Sequence, residues 1–174
     1  VLPCPGGGGG SECLANDLPG FSHLLTTDQS IYYLSDDLLR WELAQGNCAS
    51  LGGHLVSISS TDENELLRTA IATQNDFILI GLNDQAQENN WQWSDGTALT
   101  FQNLDPQNDN SSANNFGILN PWTGQWDVVN EWVQKRYILE IPCAPATATS
   151  LRSTHHDQEK QSQKQSPSLS VFPN

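Results

Sequence analysis

The sequence predicts an α+β fold, with two helices placed before a set of short antiparallel strands. Three observations carry this. Two stretches between residues 35 and 71 have helical spacing and helix-boundary residues; from Phe77 onward the apolar pattern is that of short strands; and a polar stretch from Gln102 to Asn115 interrupts those strands. That stretch is far longer than an ordinary connection, so it is expected to be functional or disordered.

Taken in order, Ile31-Tyr32-Tyr33-Leu34 reads as a short strand. Ser35 follows as a helix N-cap, with Asp36 and Asp37 placed against the positive end of the helix dipole. Leu38, Trp41 and Cys48 recur at helical spacing, Leu34, Ala44 and Leu51 lie near the same stripe, and Gly52-Gly53 ends the helix. A second helix opens with the capping box Ser60-Thr61-Asp62-Glu63 and carries Leu66, Leu67, Ala70 and Ile71. Phe77 to Leu82 is a continuous apolar strand, Trp91 and Trp93 alternate across a shorter one, and Ser94-Asp95-Gly96-Thr97 marks a turn. Phe116 to Leu119, Gln125 to Val129 and Tyr137 to Ile141 complete the strands. This body, residues 28–143, lies between a glycine-rich lead (1–27) and a Ser/Gln-rich tail (144–174). The tail is too poor in apolar residues to offset its ordering entropy and is expected to be disordered.

Composition narrows the function. Seven Lys and Arg face twenty Asp and Glu, a net charge of −13, and residues 1–143 hold four of the basic and eighteen of the acidic side chains. Such a surface repels nucleic acid and anionic membranes and suits cations or basic partners. No apolar run approaches the roughly 20 residues that span a bilayer. Four cysteines without metal-site spacing, together with scattered histidines, point to disulfides and hence to a secreted, extracellular protein. No nucleophile–base set or phosphate-cradling loop stands in a recognisable context, so the chain reads as a non-enzyme.

The ordered fragments Trp41-x-x-Ala44-x-x-x-Cys48-x-x-Leu51-Gly52-Gly53-His54-Leu55-Val56-Ser57-Ile58, Ser60 to Leu67, Ile80-Gly81-Leu82-Asn83-Asp84, Trp91-Gln92-Trp93, Asp95-Gly96, Gly124-Gln125-Trp126-Asp127 and Tyr137-Ile138-Leu139-Glu140 resemble the C-type lectin-like domain. The resemblance implies a recognition module for a glycan or extracellular protein, with calcium as a weakly held cofactor. The alternative is a structural subunit of an extracellular matrix, sheath or filament, for which the odd cysteine placement suits self-association. The area each indole buries agrees with this: Ile80, Leu82, Trp91, Trp93 and Trp126 are expected to form a core cluster beneath the long loop, whereas Trp122, in a turn after Asn120-Pro121, is expected to be exposed enough to stack on a ligand.

The chain departs from the family at its cysteines and calcium ligands. Cys48 matches the first core cysteine, but Leu139 stands where its partner belongs, and Cys143 lies about 13 Å further along an extended strand. The pairing expected is Cys4–Cys13 with Cys48–Cys143, against a free or intermolecular Cys143. The family's loop-holding cystine is missing, with Phe116 at one position and Asn130 or Glu131 at the other. For the main calcium site, Asn108-Asp109-Asn110 aligns with the family's triplet, or Asp105-Pro106-Gln107 with a gap; Asn114 aligns with the further acidic position. Asp127-Val128 replaces the Asn-Asp pair, which removes one oxygen ligand. Asp84 and Glu88 match the acids of a second calcium position, with Ser111, Asn114 and Asn115 as loop partners. The expected ligand face therefore comprises Asn108, Asn110, Asn114, Trp122 and Asp127, and Asn110-Ser111-Ser112 is a glycosylation sequon on that face.

Overall fold

The computed structural model describes residues 13–108 and 111–143. Eight strands and two helices follow one another as β1 (Phe21–Thr26), β2 (Ser30–Ser35), α1 (Trp41–Ser50), β3 (His54–Leu55), α2 (Thr61–Ala70), β4 (Ile78–Asn83), β5 (Gln92–Trp93), β6 (Phe116–Leu119), β7 (Trp126–Val129) and β8 (Ile138–Pro142). They form two four-stranded antiparallel sheets, ordered β1-β2-β8-β3 and β5-β4-β6-β7. A parallel bridge between Leu79 and Tyr137 joins the sheets, and Gly81 donates its N–H to Val56 O at 2.8 Å. Gly81 is required there, because a Cβ would lie 2.7 Å from Leu55 O.

The expected α+β layout is what the chain adopts, with three shifts. First, folding begins inside the segment read as a lead: β1 pairs with β2 from Phe21↔Ser35 to Thr26↔Ile31. Its alternation is interrupted by a register shift between His23 and Leu25, which hides its period. Second, Ser35 ends a strand instead of capping a helix. Its Oγ accepts the Tyr137 N–H at 3.0 Å, α1 starts after Arg40 without a side-chain cap, and Leu38 is exposed. Ser60 does cap α2, accepting the Glu63 N–H at 3.2 Å, while the Glu63 carboxylate reaches back to the Ser59 N–H at 2.8 Å. Asn64, Leu67 and Ile71 form the buried stripe of that segment, and Leu66 points outward.

Third, the cysteine pairing differs. Cys13 is bonded to Cys143, with their Cα atoms 5.3 Å apart, and Cys48 is free and buried. The register explains this: Ser30 pairs with Pro142, and the Cys143 N–H reaches Gln29 O at 2.7 Å, so β8 carries Cys143 to the outer end of the first sheet. Cys48 instead stays among the core residues that include Leu139, and burial pushes its thiol up to about 12. Cys4 lies outside the described residues.

The cluster expected beneath the long loop is present. Ile80, Leu82, Trp93 and Trp126 are buried together with Trp91 packed against them, and Leu99 and Phe101 before the long loop and Leu104 within it press onto the same cluster. Trp126 is fully buried; its Nε1–H donates to Asn64 Oδ1 at 2.7 Å, and the Asn64 amide donates to Gly124 O at 3.0 Å. Replacing Asn64 with Ala leaves the buried Trp126 indole N–H without its acceptor, while Gly124 O keeps the bond from the Asn103 amide at 2.8 Å. That variant is expected to lose about 1–3 kcal/mol of unfolding free energy in urea titrations, with an unchanged m-value.

Candidate functional site

The second sheet has two ends with different chemistry. At one end Ile78 pairs with Leu119 and Leu119 with Trp126; at the other Asn83 pairs with Phe116 and Phe116 with Val129. Asp84, Asn115 and Asn130 each adjoin the second end, while Trp122 sits in the β6–β7 turn beyond the first. The expected ligand residues are thereby divided. Trp122 is 55 % exposed and packs edge-on against Phe77, a full strand length away from Asp84.

Asp84 is almost completely buried at 3 % exposure. Its Oδ2 accepts the N–H of Asn89, which sits at φ 60 in the tight turn that follows, at 2.8 Å. Its Oδ1 is shielded from solvent and has no hydrogen-bond partner. Asn115 Oδ1 is in the same condition, and the two residues are neighbours, with Asp84 N–H donating to Asn115 O at 3.2 Å. Two orphaned acceptors on adjoining residues, one from a carboxyl group, make a costly arrangement unless a cation or donor completes it. Glu88 is exposed, and Asn114 N–H donates to Ser111 O at 2.9 Å, which folds the end of the long loop toward this point.

A second group gathers around β7. Asp127 is half-buried, and its carboxyl is raised above the ordinary carboxylate range by burial first and by the neighbouring Asp105 carboxylate second. Asn108 is held beside it, its amide donating to Trp126 O at 2.9 Å. Asp105, the gapped alternative in sequence, is therefore the loop acid that stands next to Asp127. Val128 adds no oxygen. Asp109 and Asn110, the acceptor of the sequon, lie outside the described residues. Among the described residues no three His, Cys, Asp or Glu side chains gather as a metal-binding group, so a cation here would depend on amide and hydroxyl oxygens as well.

A larger cavity of about 490 Å³, missed in sequence, opens between β2, α2 and β8 and includes Tyr32, Ser57, Glu63 and Glu140. Two of its carboxylates, Glu63 and Glu140, are already engaged. Ser30 Oγ donates to Glu140 Oε1 at 2.7 Å, Ser57 N–H to Glu140 Oε2 at 3.2 Å, and Tyr32 Oη–H to Glu63 Oε1 at 2.8 Å. Burial raises the Glu140 carboxyl, and these hydrogen bonds pull it partly back. Glu63 and Glu140 are thus held by hydrogen bonds, while the buried Ser57 Oγ of this cavity is, like Asp84 Oδ1, without a hydrogen-bond partner.

The comparisons with known proteins follow this geometry. The family model described as "Lectin C-type domain" matches residues 37–138, more than half of the chain. Human C-type lectin domain family 4 member E is 45% identical over 71 residues, which cover 41% of this chain and 32% of that protein. The type-2 ice-structuring protein of Hemitripterus americanus is 40% identical over 75 residues, covering 43% of this chain and 44% of that protein. The chain thus spans less than half the length of these relatives. Among solved structures, the mouse scavenger receptor C-type lectin carbohydrate-recognition domain superposes with a TM-score of 0.64 at 27% identity, covering 74% of this chain and 98% of that one.

The raised Asp127 carboxyl makes a signed prediction. Its native pKa lies above its unfolded one, so ionisation opposes folding at neutral pH, and the penalty fades as pH falls through the native value. Asp127→Asn is expected to melt higher than the parent at neutral pH in calcium-free buffer, with the gap closing on acidification. Paired thermal melts across the carboxylate range measure it.

Proposed function

Because the chain belongs to the C-type lectin domain family, we propose that it is an extracellular recognition module that presents the long-loop face to a glycan or protein ligand, with calcium held weakly at Asp84 and Asn115. The observation that carries this reading is the pair of orphaned buried oxygens, Asp84 Oδ1 and Asn115 Oδ1, where the loop meets the end of β4. A hard divalent ion takes about six to eight oxygens, and uncharged oxygens in place of carboxylates lower its affinity. Asp84 is the buried carboxylate here, so the expected affinity is the weak one of extracellular modules, about 10⁻⁴–10⁻³ M. Ser111 and Asn114 supply further oxygens from the loop, and Glu88 the second acid.

When bound, calcium supplies positive charge to an acidic surface and coordination positions for ligand oxygens. The chain's own residues do the rest. The turn bond from Asn89 fixes the Asp84 carboxyl, the β4–β6 pairing sets Asn115 beside it, and the Trp126 anchor keeps Asp105 and Asn108 at the adjoining β7 group. The human and mouse relatives support recognition as the task. Homologues of this kind are generally non-enzymatic, and nothing positive in the chain argues for catalysis. Among the described residues no helix is long and apolar enough to cross a membrane.

The second reading, a structural subunit of a matrix, sheath or filament without sugar binding, draws support from the ice-structuring relative, which shares the family and is not named as a lectin.

Saturating calcium is expected to raise the melting temperature. At a hundredfold excess over Kd the stabilisation is about 2.7 kcal/mol, a shift of several degrees. Asp84→Asn should remove most of that shift. Superimposed melts of the parent in calcium and in EDTA would overturn the calcium assignment, and a blank array of glycans and extracellular proteins would favour the structural reading.

A further inference from the structure

The two most exposed indoles, Trp122 and Trp132, have different surroundings. Trp132 is 63 % exposed and lines a cavity of about 300 Å³ at the end of the second sheet that carries Asp84 and Asn115. The buried ring of Phe116, stacked on Trp41 at 4.9 Å, closes off its inner side, and Asn115, Asn130 and Glu131 line it as well. It opens between Phe116 and Asn130–Glu131, the positions where the resembled family places its loop cystine.

The polar groups here are unspent. Asn130 Oδ1 accepts the Trp132 N–H at 3.0 Å, which leaves the Asn130 amide donor and the Glu131 carboxylate without partners among the described residues. The Trp132 ring is braced by Arg40, whose guanidinium carbon lies 4.5 Å from the ring centroid. Of the four Lys and Arg side chains in the described residues, three are paired with carboxylates: Arg68 with Glu65, Lys135 with Asp76 and Arg136 with Asp36. Arg40 alone among them spends its charge on an indole. In so acidic a protein that choice fixes one ring face and leaves the remainder of the ring open.

Size and chemistry select the occupant. About 300 Å³ is the lower limit of ordinary small-ligand sites, room for one sugar ring and not for a folded peptide. A pyranose offers an apolar C–H face to an indole and hydroxyls that both donate and accept. Glu131 can only accept from it and the Asn130 amide nitrogen can only donate. An anionic sugar is opposed by Glu131 and by the surplus of carboxylates. We propose that this cavity is a calcium-independent subsite for one neutral pyranose, stacked on Trp132 and hydrogen-bonded by Asn130 and Glu131, with Arg40 holding the indole in place. This rests on the recognition reading above and deepens it by naming a ligand class and a second point of contact.

The test uses the full chain in EDTA with methyl glycosides of glucose, galactose, mannose and N-acetylglucosamine, and sialyllactose as the acidic counter-probe. Binding is read by saturation-transfer NMR and tryptophan fluorescence. At least one neutral glycoside is expected to bind saturably, with Trp132→Ala weakening it about tenfold and Trp132→Phe retaining most of the affinity. Matching circular-dichroism spectra and melts establish that both variants fold. Three results would overturn the subsite: no neutral glycoside binding in EDTA, equal binding by Trp132→Ala, or a preference for sialyllactose. Binding that requires calcium and survives Trp132→Ala would overturn the subsite while leaving the recognition reading intact.

Discussion

Trp126 is tied to the long loop on three sides. Its backbone N–H donates to Asn103 O at 2.8 Å, and its carbonyl accepts from Asp105 N–H at 2.8 Å and from the Asn108 amide at 2.9 Å. Its ring meets Phe101 and Trp93 edge-on at 5.5 Å and 5.3 Å, and its indole N–H is held by Asn64 of α2. One fully buried residue thus connects α2, its neighbouring strand β6, Trp93 of β5 and the first half of the loop. In the resembled family a cystine restrains that loop. Here Phe116 stands at one of its positions and Asn130 or Glu131 at the other, and hydrogen bonds with a buried aromatic cluster hold the loop instead. A buried backbone group that loses its partner costs free energy comparable to the bond itself, so the loop's attachment is cooperative with the core.

That substitution shapes the face the loop presents. Where a cystine would cross, a cavity opens beside Trp132. Where a full set of calcium acids would stand, one buried carboxyl and several amides remain. Near β7 the Asp127 carboxyl is raised by burial first and by the Asp105 carboxylate second, and Val128 adds no oxygen. Under the proposed reading, this face depends less on carboxylates and more on amide and aromatic groups.

Much of this was legible in the sequence, because the signals are local. The Ser60 capping box, the apolar run of β4, the alternation of Trp91 and Trp93, and the turn at Gly124 each declare their structure within a few residues. The elements that escaped depend on distant partners. β1 is a strand because β2 pairs with it, and its bulge breaks the alternation that would have revealed it. Ser35 has the composition of an N-cap but is claimed by Tyr137, a residue 102 positions away. The Cys13–Cys143 bond spans 130 residues and follows from the β2–β8 register, which no spacing rule supplies. In the site, Asp84 was legible by motif, but the orphaned state of its Oδ1 was not. Trp132 gave no signal beyond its identity, since exposure is decided by what the fold leaves uncovered.

The most direct test of the Trp126 restraint is native-state hydrogen exchange at the Asp105 and Trp126 amides, whose acceptors are Trp126 O and Asn103 O. If the loop is held as described, both amides exchange only through global unfolding, with protection equal to that of the β4 amides. Exchange at the Asp105 amide as fast as in an open loop, while β4 stays protected, would contradict it.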